Sequence, residues 1–265
     1  MELPREKKKV EILPKGSYFQ TDKEGFLVNP ASPEKLQSEW RPAIDDAIEA
    51  YKNQYGDKLK NVYVRGSVAK GEAVKGISDL DTFAYVDMPQ DEITYNWARS
   101  AIEEMVQKYP FIEGFELRAD ALSEAPQDFL MLNQSMCVYG EPVEISKLRP
   151  GKEMVAHARA LGHRLERARI FLQKDVAAKE IQEKCVWVMK TILRVGFEIT
   201  MERSGTYTRD LYPCYKTFSE YYPEKEPQMR QVLDYALNPI SDKEKIIEVI
   251  DTLGTWLTEE TKKHF

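Results

Sequence analysis

The sequence predicts an α+β chain, with a small mixed β-sheet flanked by helices in its N-terminal half and an α-helical bundle in its C-terminal half. Three observations carry that expectation. Short β-branched and aromatic runs stand at 61–64, 80–86 and 111–122, interleaved with apolar stripes at helical spacing. From Gly151 onward strand signals nearly vanish while helical stripes continue. The 265 residues, 42% hydrophobic and 31% charged, have the composition of an ordinary globular chain and can bury one large core or two of ordinary size.

Taken in order, residues 1–30 read as an N-terminal arm, with a charged run from Arg5 to Lys9 and a hairpin pattern through Asp22-Lys23-Glu24-Gly25. Ser32-Pro33 has the form of an N-cap followed by proline at the first helical position. Leu36, Trp40, Ile44, Ala47, Ile48 and Tyr51 then make one apolar face, ending near Gly56. Val62-Tyr63-Val64 predicts a strand that stops at Arg65-Gly66-Ser67, and Leu80 to Val86 a second one. Ile93, Trp97, Ala101, Ile102 and Met105 predict a helix between 90 and 109, after which 111–122 returns to an extended pattern. Pro142 to Pro150 is the expected linker, so the first domain spans 31–145 and a helical domain spans 150–265. Within the latter, Ile181, Cys185, Val188, Met189, Ile192 and Ile199 form one stripe, and Ile246, Ile250, Leu253 and Leu257 another. Ser241-x-x-Glu244 predicts a capping box for the last helix.

Composition narrows the function. Three widely spaced cysteines, Cys137, Cys185 and Cys214, suggest free thiols rather than a disulfide framework or a thiolate zinc site. His157 and His163, six apart, fall on different helix faces and suggest no metal pair. No apolar run approaches the roughly 18 residues that cross a bilayer, and Met1 to Val10 lacks the apolar stretch of a signal peptide; a cytoplasmic protein is expected, monomeric or homodimeric. The formal charge of −6 argues against non-specific nucleic-acid binding. The basic set Arg164, Arg167, Arg169, Lys174, Lys179 and Lys184 could line a nucleic-acid groove, but the interleaved Glu166, Asp175, Glu180 and Glu183 favour a mixed solvated face.

The informative stretch runs from Arg65 to Asp81. Gly66-x4-Gly71 has the glycine spacing of a phosphate loop, yet Glu72 stands where that loop needs lysine. What remains is a strand, a Gly-Ser turn and an Asp-x-Asp at the mouth of the next strand. Asp79 and Asp81, two apart on a strand, point to the same side and repel unless a cation sits between them. Hard carboxylate oxygens suit Mg²⁺, which shares its shell with substrate phosphates. Gly66 lets backbone approach a phosphate, Ser67 offers a hydroxyl and an N–H, and Lys70 a point charge. Asp-x-Asp alone is commonly a turn, so the compound pattern carries the reading.

These residues resemble the signature of the DNA polymerase beta-like nucleotidyltransferase superfamily: Arg65-Gly66-Ser67 with Ser78-Asp79-Leu80-Asp81. The resemblance implies that Gly66, Ser67, Lys70 and Ser78 hold a nucleoside triphosphate, ATP first among them. It also implies that Asp79 and Asp81 hold two Mg²⁺ ions as catalytic metal ligands. A third carboxylate normally follows, and Phe115 to Glu124 is similar to the corresponding strand of bacterial aminoglycoside nucleotidyltransferases; Glu116 is the first choice for it and Asp120 the alternative. More weakly, Leu193-Arg194 and Glu202 to Asp210 are similar to the substrate-contacting helix and loop of streptomycin/spectinomycin-type adenylyltransferases, which implies substrate contacts from Arg194 and Asp210. On the residues alone, Arg194 either pairs with a carboxylate or faces a phosphate, and Asp210 is either a substrate-facing acid or an N-cap.

The function that follows is transfer of a nucleoside monophosphate, AMP from ATP, to a hydroxyl of a small molecule, aminoglycoside-type antibiotics included, with release of pyrophosphate. Alternatives are transfer to a protein or tRNA acceptor, as in toxin–antitoxin systems, and a non-catalytic nucleotide-binding module.

Overall fold

The computed structural model describes residues 9–127 and 129–265. It is α+β, and the chain divides into two compact units, Leu27–Lys147 and a second made of the residues up to Phe26 together with Leu148–Phe265.

The first unit is built on a four-stranded mixed sheet. Its elements are α1 (Arg41–Tyr55), β1 (Leu59–Arg65), α2 (Gly66–Lys70), β2 (Leu80–Val86), α3 (Asn96–Lys108), β3 (Phe115–Ala121), α4 (Phe129–Leu132) and β4 (Ser135–Gly140). The strand order is β3-β2-β1-β4. β1 runs antiparallel to both β2 and β4, whereas β3, reached through α3, lies parallel to β2. Alternation sorts the side chains. Val62, Val64, Leu80, Ala84, Leu117 and Ala119 share one fully covered face and one core cluster with Ile44, Ala47 and Tyr51 of α1 and Met105 of α3. On the other face Tyr63, Phe83 and Tyr85 gather Ala125 and Leu132 into a smaller cluster, with the Tyr63 and Phe83 rings stacked at 4.9 Å. Tyr51, on α1, also donates a hydrogen bond to the Arg118 carbonyl (3.0 Å) and so ties helix to strand beneath the sheet.

Two boundaries depart from expectation. Ser32 caps no helix; its N–H instead donates to the Ala69 carbonyl (3.2 Å), and two 3-10 turns, Pro33–Lys35 and Ser38–Trp40, precede α1. Pro42 explains the late start, because it has no N–H to give and its ring crowds the carbonyl four residues back, so a helix cannot run through from Ser32. β4 is an addition. It has no clean alternation, with two buried residues followed by three half-buried ones, and only pairing with β1 defines it.

The second unit comprises α5 (Leu161–Leu172), α6 (Ala178–Ser204), α7 (Leu211–Tyr221), α8 (Glu226–Leu237), α9 (Lys243–Val249) and α10 (Thr255–His264). α6 is its axis, burying residues around most of its circumference from Ile181 to Met201. The arm belongs to this unit: the Phe19 N–H donates to the Tyr207 carbonyl (2.8 Å), and Asn238, just past the end of α8, exchanges hydrogen bonds with the backbone of Val10. The expected hairpin pattern is a tight turn closed by the Asp22 N–H on the Phe26 carbonyl (2.8 Å). The expected Ser241/Glu244 box is not formed. Asp242 is the N-cap and accepts from the Lys245 N–H (3.1 Å), which shifts the start by one residue. Beyond α9 a π-turn, Ile250–Gly254, leads into α10. Cys185 and Cys214 are buried free thiols and Cys137 is half-buried. Among the described residues no helix is long and apolar enough to cross a membrane.

Gly196 shows how closely the α6 axis is packed. A Cβ there would lie 2.6 Å from Met229 Cε on α8 and 3.0 Å from a Phe218 ring carbon on α7. Gly196→Ala is therefore expected to lower the unfolding free energy by about 1–3 kcal/mol through overpacking, seen as a lower urea midpoint at an unchanged m-value. A midpoint equal to or above that of the parent protein would show that the helices separate at no cost.

Candidate active site

The site is assembled at one end of the sheet in the Leu27–Lys147 unit. β1 ends on Arg65, whose register partner on β2 is Asp81, and Asp81 in turn stands opposite Glu116 on β3. Three adjacent strands thus contribute one row, Arg65–Asp81–Glu116, with all three side chains on the same face by strand alternation. Arg65 and Glu116 form an ion pair across Asp81. Beneath it, the Thr82 hydroxyl donates to the Glu116 carbonyl (2.8 Å) and fixes the β3 backbone.

Gly66, the first residue past β1, has φ +75°, and a Cβ at that position would sit 3.0 Å from Asp81 Oδ2. Both facts demand glycine. The turn of α2 then closes on Gly71 in the left-handed region, with the Glu72 N–H donating to the Ser67 carbonyl (2.9 Å). Ser67 and Gly66 lie half-exposed beside the carboxylate row. Asp79 sits just before β2, where a Cβ on Gly114 would approach its Oδ1 to 3.0 Å. Ser78 acts inside the loop: its hydroxyl accepts from the Val74 N–H (2.9 Å) and its carbonyl from the Glu113 N–H (3.1 Å).

Electrostatics single out Asp81. Burial raises its carboxyl pKa, Arg65 opposes the shift, and the nearby charges of Glu116 and Asp79 add to it. Asp81 thus carries negative charge that its surroundings only partly compensate. Among the described residues no group of three or more Asp, Glu, His or Cys side chains is placed to hold a metal ion. An open pair of hard carboxylates suits Mg²⁺ nonetheless, since that ion completes its octahedron with water and substrate phosphate. The donor set fits it.

The two candidates for the third carboxylate separate cleanly. Glu116 faces Asp81, whereas Asp120 lies two periods of the alternation further, past Arg118, and faces Tyr85. Asp120 is buried, with Arg118 Nε at 2.6 Å and Gln90 Nε2 at 3.3 Å. Its neighbours occupy it structurally. The sequence reading gave Arg65 no role of its own. The signal for it was its place, a cation at the strand end directly before the Gly-Ser turn.

Residues 44–126 match the family model of the nucleotidyltransferase domain. That span holds the Gly-Ser turn, the Asp-x-Asp and Glu116, so the resemblance of the motif to nucleotidyltransferases is shown over the segment that forms the site. No curated protein matches the chain. One similar solved structure is the spectinomycin adenyltransferase AAD(9) from Enterococcus faecialis with ATP and spectinomycin, at 15% identity, covering 84% of this chain and 99% of that one with a TM-score of 0.46.

Arg194 and Asp210 belong to the helical unit. Arg194, on α6, is half-buried; its Nε has no hydrogen-bond partner, and among the described residues it pairs with no carboxylate. One turn on, Glu198 is buried and accepts from the N–H groups of Ala156, His157 and Ala158 at 2.7–3.1 Å; burial still raises its pKa. His157 beside it is held down to about 4 by burial and by Arg164. Asp210 occupies the N-cap position of α7 but caps nothing there; its carboxylate accepts from the Ser17 N–H of the arm (2.9 Å).

The raised pKa of Asp81 has a sign. Folding favours the protonated acid, so the carboxylate lowers stability as pH rises above the ordinary Asp range, and the penalty is absent below it. Asp81→Asn is expected to melt above the parent protein at pH 7, with the gap closing below pH of about 4. A variant that melts lower at pH 7 would show that Arg65 already compensates the charge.

Proposed function

We propose that this protein is a Mg²⁺-dependent nucleotidyltransferase that moves AMP from ATP to a hydroxyl of a small molecule, in the class of antibiotic-modifying adenylyltransferases. The observation that carries the reading is the Arg65–Asp81–Glu116 row beneath Gly66. It offers carboxylates, a cation and a glycine turn within reach of one polyphosphate.

In this reading Gly66 and Ser67 hold the triphosphate through backbone N–H and hydroxyl groups, and Lys70 adds charge. Asp79 and Asp81 would hold two Mg²⁺ ions, which when bound neutralise the phosphate oxygens and lower the energy of the in-line displacement. The acceptor oxygen forms its bond to the α-phosphorus as the bond to the β-phosphate bridge breaks, and pyrophosphate leaves. Glu116, oriented by Arg65, takes the proton of the attacking hydroxyl. Ser78, occupied in closing its loop, positions Asp79 rather than touching phosphate.

Pyrophosphate release from ATP, measured against a panel of aminocyclitols and other hydroxyl compounds, tests the proposal; no release with any acceptor would leave a nucleotide-binding module. Asp79→Asn and Asp81→Asn should each cut turnover more than tenfold, or about 1.4 kcal/mol of barrier. Ser67→Ala with Lys70→Ala should instead raise the apparent KM for ATP, because charged phosphate is held in ground and transition states alike.

Glu116→Gln should abolish the acid limb of the pH–rate profile together with most of the rate, while Asp120→Asn should lower the melting temperature and spare the rate of the folded fraction. The reverse pattern would move the base to Asp120.

A further inference from the structure

The helical unit contains a groove of ≈ 660 Å³ between α5 and α6 whose lining carries His163, Arg164, Arg167, Lys174 and Lys184, and no acidic residue. Two rings complete it, Phe171 and Trp187. Trp187 is 39% exposed, unusual for so large an apolar surface, and Lys184 Nζ hovers over both rings, 4.6 Å from the Phe171 centroid and 5.0 Å from that of Trp187.

The interleaved acids suggested a mixed solvated face. None of the four acids is among the residues lining the groove. Glu166 pairs with Arg169, Glu183 with Lys179, and Glu180 accepts the Ala177 N–H at the start of α6. Arg169 is drawn off as well, to Asp251. Arg164, Arg167, Lys174 and Lys184 are left with no carboxylate partner among the described residues, side by side in one concavity. Cations gathered this way repel one another, and an anion relieves that cost.

The spacing indicates which anion. Arg164 to the end of α5 at Leu172 is eight residues of helix, about 12 Å at 1.5 Å per residue, and Lys174 lies two residues beyond that end. Arg164 and Arg167 lie one turn apart on α5 and Lys174 beyond its end, so the set is further apart than a single phosphate group can bridge. A chain of phosphates can meet all of them, and flat bases between phosphates can lie on Trp187 and Phe171, as they do in grooves for single strands. The chain's net charge of −6 is an average over the whole surface and does not describe this groove. We propose that the α5–α6 groove binds a segment of single-stranded nucleic acid, its phosphates on Arg164, Arg167, Lys174 and Lys184 and a base against Trp187. The groove is built from the helical unit alone, and its test reads binding only, so its outcome is independent of the transfer reaction.

The experiment is an anisotropy titration of the full chain against a labelled single-stranded RNA of about 12 nucleotides at several salt concentrations. Four phosphate contacts predict a slope of log affinity on log salt of about −3, from roughly −0.7 per phosphate. Arg167→Glu with Lys184→Glu should weaken binding more than tenfold and flatten the slope by about 1.4. The conservative pair Arg167→Lys with Lys184→Arg should keep both, which guards against a simple folding defect, and circular dichroism should report the same helix content in all forms. Trp187→Leu should weaken binding without altering the slope. No binding by the parent protein, or binding retained by the charge-reversed form, overturns the proposal. So does displacement by AMP or inorganic polyphosphate as readily as by unlabelled RNA, which would make the groove an anion site indifferent to bases.

Discussion

The close approach of Gly66 to Asp81 is the constraint on which the rest of the first unit depends. A backbone turn with positive φ, 3.0 Å from a carboxylate oxygen at its would-be Cβ, is tolerable only for glycine. It is also useful only if the strands on either side hold their register. Slipping β1 against β2 by one residue would turn Arg65 and Asp81 to opposite faces and bury a charge in the covered core. The apolar face of the sheet, with Val62, Val64, Leu80 and Leu117 packed beneath the helices, forbids that slip. Core packing and site geometry are thus one specification read from two sides.

Charge is arranged differently in the two units. In the first, Asp79, Asp81 and Glu116 stand near one arginine, which only partly offsets the charge of Asp81. In the second, Arg194 and Arg209 stand near the buried Glu198, while burial keeps the neighbouring His157 uncharged at pH 7. Glu198 meets three backbone N–H groups at the start of a short turn, which satisfies its oxygens without neutralising the arginines. The unpartnered Arg194 Nε is the residue of that imbalance.

The α5–α6 groove has the same origin. A helix that alternates acids and bases in sequence separates them by face, because residues three or four apart share a side. Acid–base pairs form along the outward sides, as Glu166 does with Arg169, and the remaining cations are left together. A chain with a net negative charge can therefore present a local surface of the opposite sign.

How much of this was legible in the sequence depends on the range of the interaction. β2 and the end of α1 at Gly56 follow from local pattern and backbone preference, and the Gly-Ser turn with Asp79 and Asp81 follows from residue chemistry within a span of about 20 residues. Long-range facts were not. β4 lacks a pattern of its own and exists because β1 has a free edge. The late start of α1 follows from Pro42, whereas Ser32 is diverted to the Ala69 carbonyl. The choice between Glu116 and Asp120 could not be made from a strand on which both face the same way. Only the parallel register with β2, set by the packing of α3 against the sheet, places Glu116 beside Asp81 and consigns Asp120 to Arg118 and Gln90. Sequence alone determined which chemical groups the chain possesses and which of them lie near one another along it; the tertiary structure decided which ones meet, because strand pairing and helix packing bring together residues that no local pattern relates.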